Sequence, residues 1–376
     1  MEHRSRSRAT LPLALARVAS VLLLASACAP APPPTAAAPT TAPTVAAPAV
    51  AAAPTLAAAQ ATSSPVAVAA GAQKNLQEVR VGMAFIPNVQ FAPFYVADAK
   101  GYFAQEGIKP VYDYGFEQDV VALTAQDQLV FTNSGASSTI IARSHDVPVR
   151  YFVKEYASMP IAIFALKDKG IAKLADLKGK SIGQPSPFGD TYVGFKIMLD
   201  KGGLKESDVN QVSIGFTQVE SLLNNKVDAA VGYSVNEPFQ LKAQGKEVTE
   251  FDLRDVAPEV TGNGLIASEK TLAEKPELAR GFARAFLHGL DDTVRNPQEA
   301  FNITLTYVPD IAKDEKVKQA QLQTLQLVAN DYWKTSGKLG ASDASLWGGT
   351  QKLMKDTGLI DKETDMSRAI TNDYLP

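Results

Sequence analysis

The sequence predicts an α/β protein whose folded part consists of two lobes, each built around a mostly parallel sheet. Short apolar runs alternate with segments of helical periodicity from residue 77 onward, which is the order expected of parallel strands joined by crossover helices. The alternation starts again after residue 165, and the chain then returns to the first lobe before a series of amphipathic helices. These observations predict two lobes joined by two crossings, with a helical C-terminal part.

The first lobe is predicted to comprise residues 77–165 together with residues 265–376. Its short apolar runs are rich in Val, Phe and Tyr, which favour strands, and the segments between them have helical spacing. The predicted strands are 79–83, 109–114, 129–132 and 149–155, and the predicted helices are 91–103, 119–129 and 137–144. Gly107 follows the first predicted helix and marks the point before the second strand, since glycine is favoured where a helix ends.

The second lobe is predicted to comprise residues 166–264, inserted into the first. Its predicted strands are 180–183, 212–215 and 227–232, and its predicted helices are 174–177, 191–201 and 219–224. Crossings between the lobes are expected near 163–166 and near 262–266. Amphipathic helices are predicted at 276–296, 298–307, 314–333 and 344–357, with Trp333 and Trp347 packed in the core.

The composition excludes several classes of protein. The 376 residues include 37 basic and 40 acidic side chains, and this balance argues against a nucleic-acid-binding protein. Cys28 is the only cysteine, so no disulfide or cysteine metal site is expected in the folded part. His145 and His288 have no partners at metal-ligand spacing, so no metal site of any kind is predicted.

The N-terminus, residues 1–28, has the pattern of a lipoprotein signal peptide. Arg4, Arg6, Arg8 and Arg17 form a basic region, and the short apolar stretch 18–27 follows it. Residues 24–28 (LASAC) resemble a lipobox, in which the cysteine is lipidated and becomes the new N-terminus. The sequence therefore predicts a lipid anchor on Cys28 at the extracytoplasmic face of the membrane; the alternative is an ordinary secretory signal in which this cysteine has no role.

The segment 29–76 contains hardly any charged or aromatic side chains. From Ala29 to about Ala72 it consists almost entirely of Ala, Pro, Thr, Val and Ser. Such a composition cannot bury enough apolar surface to offset the loss of chain entropy. The prolines favour extended conformations. We therefore expect a disordered tether between the membrane and the folded part.

Several motifs in the folded part resemble a known family. They are residues 87–97 (PNVQFAPFYVA), 100–103 (KGYF), 106–108 (EGI), 175–180 (ADLKGK), 187–192 (PFGDTY), 227–230 (VDAA) and 236–238 (NEP). Together they are similar to the thiamine-precursor/taurine-type solute-binding proteins of ABC importers, over about residues 79–310. The resemblance implies a bilobal periplasmic-binding-protein fold that closes around a small organic solute and delivers it to the permease and ATPase subunits of an importer.

The resemblance also narrows the ligand to a small heteroaromatic solute. Residues 114–117 (YGFE) and 86–91 (IPNVQF) look more like the riboflavin-binding group of this family. The resemblance thus implies riboflavin as the first candidate, and the formylaminopyrimidine precursor of thiamine or another heteroaromatic solute as the alternative.

Fourteen side chains that follow predicted strands are candidate ligand contacts, because open α/β sheets bind ligands beyond the carboxyl ends of their strands. A flat heteroaromatic ring needs aromatic faces for stacking and a few directed hydrogen bonds. The candidates in the first lobe are Asn88, Gln90, Phe91, Phe94, Phe116, Glu117, Ser134, Ser137 and Tyr156, and those in the second are Phe188, Tyr192, Tyr233, Asn236 and Glu237. Each also has a structural alternative, namely a turn, core packing, helix capping or a contact between the lobes.

An enzyme on the same fold is the main alternative class. The relatives that make the thiamine pyrimidine use an active-site lysine, histidines and a cysteine-rich motif. This chain has no cysteine after Cys28, and its folded part contains only His145 and His288. We therefore expect a binding protein without enzymatic activity and without a cofactor.

Overall fold

Two five-stranded sheets organise the part of the chain that the computed structural model describes, residues 76–334 and 337–376. The first sheet contains β1 (Gln77–Met83), β2 (Ile108–Tyr114), β3 (Phe131–Gly135), β4 (Val149–Lys154) and β10 (Asn263–Ser268). The second contains β5 (Ile161–Leu166), β6 (Ser181–Gln184), β7 (Asn210–Ser213), β8 (Ala229–Tyr233) and β9 (Val248–Asp252). The spatial orders are β2-β1-β3-β10-β4 and β7-β6-β8-β5-β9.

Helices cover both sheets and form most of the C-terminal part. In chain order they are α1 (Ala92–Ala99), α2 (Tyr102–Gln105), α3 (Glu117–Ala125), α4 (Ala136–Ser144), α5 (Gly189–Lys201), α6 (Gln218–Leu223), α7 (Glu237–Ala243), α8 (Leu253–Val256), α9 (Glu269–Glu274), α10 (Pro276–Arg295), α11 (Pro297–Tyr307), α12 (Glu315–Asp331), α13 (Ala344–Asp356) and α14 (Met366–Ala369). No helix within the described ranges has both the length and the hydropathy needed to cross a bilayer.

The predicted lipoprotein signal at 1–28 and its lipidation site Cys28 lie outside the described residues. The predicted tether at 29–76 also lies outside them, apart from Leu76 at its end.

Each sheet is mostly parallel and has one strand in the opposite direction. In the first sheet β10 is antiparallel to both β3 and β4. In the second sheet β5 is antiparallel to both β8 and β9. These two strands are the first elements that the chain forms after it passes from one lobe to the other. They are buried along their whole length, which explains their continuous apolar or small-residue character.

The first crossing lies earlier than expected. Residues 163–166 were predicted to connect the lobes, but they belong to β5 in the second sheet, and the connection runs through residues 155–160. A fully buried strand has no alternation of polar and apolar residues, so its apolar sequence does not reveal which lobe it joins. The second crossing precedes Asn263, the first residue of β10, close to the predicted position.

Several segments differ from the sequence prediction, among them the short helices α8, α9 and α14, which were not predicted. The predicted helix 91–103 is divided because Gly101 has a φ of +75°, a left-handed conformation that ends α1 before α2 begins. Strand β9 was not predicted, since Glu250 and Asp252 reduce its apolar character. Helix α7 was also not predicted; it begins with Glu237 and Pro238, and proline is favoured in the first turn.

The C-terminal helices connect the two lobes as well as completing the first. On α10, Phe282, Phe286 and Leu290 are buried at four-residue spacing and form one apolar face. The ring of Phe286 lies 4.6 Å from that of Phe94 on α1. After α12, the Tyr332 hydroxyl lies 3.0 Å from the hydroxyl of Ser234, a residue that follows β8 in the second lobe.

Candidate ligand-binding cleft

A cavity lies between the two lobes, beyond the carboxyl ends of the parallel strands. It contains about 700 Å³ of space, including the part that is open to solvent. The first lobe contributes Ala84, Phe85, Gln90, Phe91, Phe116, Glu117, Gln118, Asn133, Tyr156 and Asn263. The second contributes Pro185, Ser186, Phe188, Gly189, Asp190, Thr191, Phe216, Gln218, Gly232, Tyr233 and Glu237.

Eight of the fourteen predicted site residues line this cavity. They are Gln90, Phe91, Phe116, Glu117, Tyr156, Phe188, Tyr233 and Glu237. Phe188 is 60% exposed and therefore lies at the mouth of the cavity, where it can cover a bound solute. The ring of Tyr156 was considered a stacking surface, but it packs edge-on against Trp333 at 5.7 Å.

Three predicted residues of the first lobe lie outside the cavity because they stabilise their own lobe. Asn88 caps the turn Val89–Phe91, its side-chain oxygen accepting a hydrogen bond of 3.0 Å from the backbone N–H of Gln90. Phe94 is fully buried against α10. Ser134 is fully buried and donates a hydrogen bond of 2.8 Å to Glu117.

The other three predicted residues outside the cavity make contacts that the sequence could not indicate. Ser137 donates a hydrogen bond to Asp190 of the opposite lobe. Tyr192 points away from the cleft and donates a hydrogen bond of 2.8 Å to Glu206. Asn236 is 1% exposed, and its side-chain oxygen accepts a hydrogen bond of 3.0 Å from Gln321 on α12.

Aromatic side chains from both lobes meet at the cleft, and two of them were missed. The rings of Phe116 and Phe216 are stacked, with centroids 4.8 Å apart and planes at 29°. Phe85 contacts Phe216 edge-on at 4.8 Å. Phe216 follows β7 in the second lobe, whereas Phe85 and Phe116 follow β1 and β2 in the first. Phe85 and Phe216 each follow a strand, as Phe116 does. The criterion that selected Phe116 could therefore have identified them as well.

Two carboxylates cap helices of the opposite lobes. Glu117 accepts hydrogen bonds of 2.7 Å from the backbone N–H groups of Gly135, just before α4, and of Asp190, in the first turn of α5. Asp190 in turn accepts hydrogen bonds from the hydroxyl groups of Ser137 and Ser138 in the first turn of α4. Each carboxylate thus meets unpaired N–H groups at a helix N-terminus, where negative charge is favoured.

Asp190 lies in the sequence motif 187–192 and is a buried acid of the cleft. Its side chain is 2% exposed. Burial, followed by the nearby charge of Glu117, raises the pKa of Asp190 well above its usual value. Closing the lobes around this group therefore favours its protonated form.

Glycine permits this close approach at two positions. A Cβ atom at Gly135 would overlap the Asp190 carboxylate. Gly189 has a φ of +81°, and a Cβ there would lie 2.8 Å from a carboxylate oxygen of Glu117. The two lobes can therefore touch here only because neither position carries a side chain.

The cavity is acidic and aromatic. Its acidic side chains are Glu117, Asp190 and Glu237, and none of the described residues that line it is Lys, Arg or His. Glu237 is 4% exposed, and its carboxylate accepts a hydrogen bond of 2.9 Å from the backbone N–H of Tyr233. Burial raises the pKa of Glu237 to about 7.

Four buried polar atoms of the cavity lack a hydrogen-bond partner within the protein. They are Gln90 Nε2, Tyr156 Oη, Asp190 Oδ2 and Asn263 Oδ1. An unsatisfied buried polar group costs about 1–3 kcal/mol, so each of these atoms favours a ligand that supplies the missing partner.

Comparison with known proteins identifies the family. A family model described as NMT1/THI5 like matches residues 88–300, which is more than half of the chain. The riboflavin-binding protein RibY of Chloroflexus aurantiacus is 38% identical over 95% of this chain and 95% of that protein.

The chain belongs to the NMT1/THI5-like family.

Members of the NMT1/THI5-like family bear names of both binding proteins and enzymes. The formylaminopyrimidine-binding protein of Halalkalibacterium halodurans is 30% identical over 72% of this chain and 83% of its own length. A 4-amino-5-hydroxymethyl-2-methylpyrimidine phosphate synthase of Legionella pneumophila is 23% identical over 77% of this chain and 89% of that protein. The predicted family relationship is confirmed.

Solved structures confirm the predicted two-lobed fold. The alkanesulfonate-binding protein SsuA of Xanthomonas axonopodis pv. citri has a TM-score of 0.63 at 12% identity, covering 78% of this chain and 98% of that one. The nitrate-binding protein NrtA of Synechocystis has a TM-score of 0.61 at 12% identity, covering 80% and 87%. At these identities the likeness concerns the fold alone.

Replacing Gly135 by Ala should separate the lobes, because the new methyl group would displace Asp190. We expect exchange of the Asp190 backbone amide to become about 10- to 100-fold faster, since overpacking of this kind costs about 1–3 kcal/mol. Hydrogen–deuterium exchange with mass spectrometry measures this. Gly348→Ala is the control, because no atom lies within 4 Å of a Cβ at that position. Unchanged exchange in Gly135→Ala would contradict the proposed role of the glycine.

The buried acid Glu155 should make stability decrease as pH rises. Its carboxylate accepts a hydrogen bond of 2.5 Å from Asn133, and burial raises its pKa from 4.5 to about 8. The folded state thus retains a proton that the unfolded state releases, and the free energy of unfolding falls by up to about 1.4 kcal/mol per pH unit between about pH 4.5 and pH 8.

Glu155→Gln keeps the acceptor for Asn133 and should flatten this pH dependence. Urea unfolding at several pH values between 5 and 8 measures the free energy of unfolding. The control is Glu274→Gln, which replaces an exposed glutamate. An equally steep decrease in Glu155→Gln and in the wild type would show that other groups cause it.

Proposed function

We propose that this protein is the solute-binding component of an ABC importer and that it binds riboflavin. The proposal rests on the 38% identity to the riboflavin-binding protein RibY over 95% of the chain. The cleft supports it, because a two-lobed cavity lined by aromatic rings and by unpaired polar groups suits a flat solute with polar edges.

The aromatic cluster is suited to a flat ring system. Phe116 and Phe216 stack on each other from opposite lobes with centroids 4.8 Å apart, which leaves no room for a third ring, so a flat ring that binds there must part them and then contacts both lobes at once. A ligand closes such a protein only through contacts that are better in the closed form, and this arrangement provides them. A bound flavin thus replaces the contact between the two phenyl groups with its own contacts to each of them, and Phe188 covers it at the mouth.

The charge of the cavity selects a neutral solute. Glu117, Asp190 and Glu237 can accept hydrogen bonds from hydroxyl groups such as those of the ribityl chain of riboflavin. The absence of Lys, Arg and His from the described lining leaves nothing to neutralise a phosphate, sulfonate or nitrate group. The related folds named for sulfonate and nitrate thus do not indicate the ligand of this protein.

The second candidate ligand is the formylaminopyrimidine precursor of thiamine. It is favoured by the 30% identity to the formylaminopyrimidine-binding protein of Halalkalibacterium halodurans. It is also neutral, flat and heteroaromatic, so it meets the same requirements for charge and stacking. Its single small ring would contact fewer of the residues that line the cleft than the three fused rings and the polyol chain of riboflavin.

The protein acts without chemical conversion of its ligand in this proposal. The described residues that line the cavity include no Lys to form an imine, and Glu117, Asp190 and Glu237 act as hydrogen-bond acceptors for the solute. A lipid on Cys28 holds the protein at the extracytoplasmic face, and residues 29–76 give it reach to the importer. The two lobes then dock on the permease, with the ATPase subunits on the opposite side of the membrane.

The fluorescence of riboflavin should be quenched on binding. Phe116→Ala should weaken the complex by about 1–3 kcal/mol if that ring stacks on the flavin. Titration of the detergent-solubilised full-length chain, followed by flavin fluorescence, measures this. Phe239→Ala is the matched control, because Phe239 is a partly exposed aromatic residue of α7 outside the cavity. Absence of quenching at micromolar protein would remove riboflavin and leave the pyrimidine to be titrated by calorimetry.

Flavin mononucleotide should bind at least about 100-fold more weakly than riboflavin, because its phosphate would be buried among carboxylates without a basic partner. Isothermal titration calorimetry of both ligands with the same protein sample gives the ratio. Equal affinities would mean that the phosphate remains in solvent and that the acidic lining does not select the ligand.

A further inference from the structure

Three of the unpaired polar atoms lie on side chains of the first lobe and its crossings. Gln90 Nε2, Tyr156 Oη and Asn263 Oδ1 are buried atoms of residues that line the cavity, and none makes a hydrogen bond of good geometry within the protein, although the Gln90 side chain lies beside the Tyr156 hydroxyl. These side chains are only 6%, 2% and 6% exposed, so bulk water does not solvate them freely. They therefore form one polar wall, which we define as Gln90, Tyr156 and Asn263.

The polar wall is held in place by the surrounding backbone. The carbonyl oxygen of Asn263 accepts hydrogen bonds from the backbone N–H groups of Glu155 at 3.0 Å and Tyr156 at 2.9 Å, which places Asn263 and Tyr156 side by side. Gln90 is fixed in the turn Val89–Phe91, which Asn88 caps. These backbone hydrogen bonds thus fix the positions of the three wall residues in the first lobe and at its crossings.

The orientation of the Asn263 amide gives the wall a definite hydrogen-bond pattern. Its Nδ2 donates a hydrogen bond of 2.9 Å to the hydroxyl of Tyr233, so its Oδ1 is left to accept a hydrogen from a ligand. Gln90 Nε2 is a donor, and the Tyr156 hydroxyl can donate as well. A ligand edge with one N–H group and two carbonyl oxygens offers one partner to each of these three atoms.

We infer that the polar wall recognises the imide edge of the ligand, with Asn263 accepting the imide N–H and with Gln90 and Tyr156 donating to the flanking carbonyl oxygens. This inference rests on the proposed function, because the pyrimidine end of a flavin carries such an imide. The aminopyrimidine alternative has ring nitrogens and an amino group instead of the imide N–H. The wall therefore determines specificity between the two candidate ligands.

The test compares riboflavin with N3-methylriboflavin, which lacks only the imide N–H, using calorimetry on the full-length chain. The wild type should bind the methylated flavin at least about 100-fold more weakly, because a site built around a hydrogen bond rejects an analogue that lacks it. Asn263→Ala should lower riboflavin affinity about 10- to 100-fold and N3-methylriboflavin affinity by less than about threefold, since it removes the acceptor and makes room for the methyl group.

Two further variants separate the role of Asn263 from general damage. Tyr156→Phe removes a donor to a carbonyl oxygen, so it should weaken both flavins equally and preserve the preference for riboflavin. Asn210→Ala, at an exposed position on the edge strand β7, should change neither affinity. Circular dichroism verifies that each variant is folded. The ratio of the affinities of the wild type for the two flavins tests the inference even if a variant does not fold.

The outcomes distinguish this inference from the proposed function. If riboflavin binds and N3-methylriboflavin binds equally well, the imide edge does not face the wall and the inference is wrong, although the proposed function stands. If Asn263→Ala keeps the full preference of the wild type, another group accepts the N–H and Asn263 does not determine specificity. If neither flavin binds the wild type, the proposed function fails and the inference fails with it.

Discussion

Mutual capping of two helices across the cleft is the contact on which the closed arrangement of the described lobes depends. Glu117 accepts hydrogen bonds from backbone N–H groups at the starts of α4 and α5, and Asp190 accepts hydrogen bonds at the start of α4. The positive ends of the two helices offset the cost of placing two acids together. The same contact brings Phe116 to Phe216, so the cavity acquires its aromatic walls only when the lobes meet.

Closure is coupled to protonation because of this contact. Burial and the neighbouring Glu117 raise the pKa of Asp190 well above its usual value, and burial alone raises that of Glu237 to about 7. The fold itself does not select the ligand, since proteins named for sulfonate and nitrate have the same architecture. The side chains that line the cleft are acidic and aromatic, without a basic group among the described residues, and the proposed preference for a neutral solute rests on them.

Most of the fold could be predicted from the periodicity of the sequence. The errors of that prediction have physical causes. Most strands and helices were expected because apolar alternation and helical spacing are local properties of the chain. The strand β5 was assigned to a crossing because a central buried strand is uniformly apolar, and α1 was extended past Gly101 because helical spacing continues across the break. In the cleft, placement after a strand identified Phe116 and Glu117, but the same criterion selected Tyr192, which lies near the start of α5 and donates a hydrogen bond to Glu206 outside the cavity.

The sequence alone determined the fold class, the family motifs and the general position of the binding site, because these depend on residue types and on spacing along the chain. The tertiary structure alone decided which side chains share the cleft. Asp190 and Gly135 are neighbours only because two lobes close on each other. Asn263 faces Tyr156 only because β10 returns from the second lobe beside the end of β4. Such pairs are formed by long-range contacts, and local sequence patterns carry no information about them.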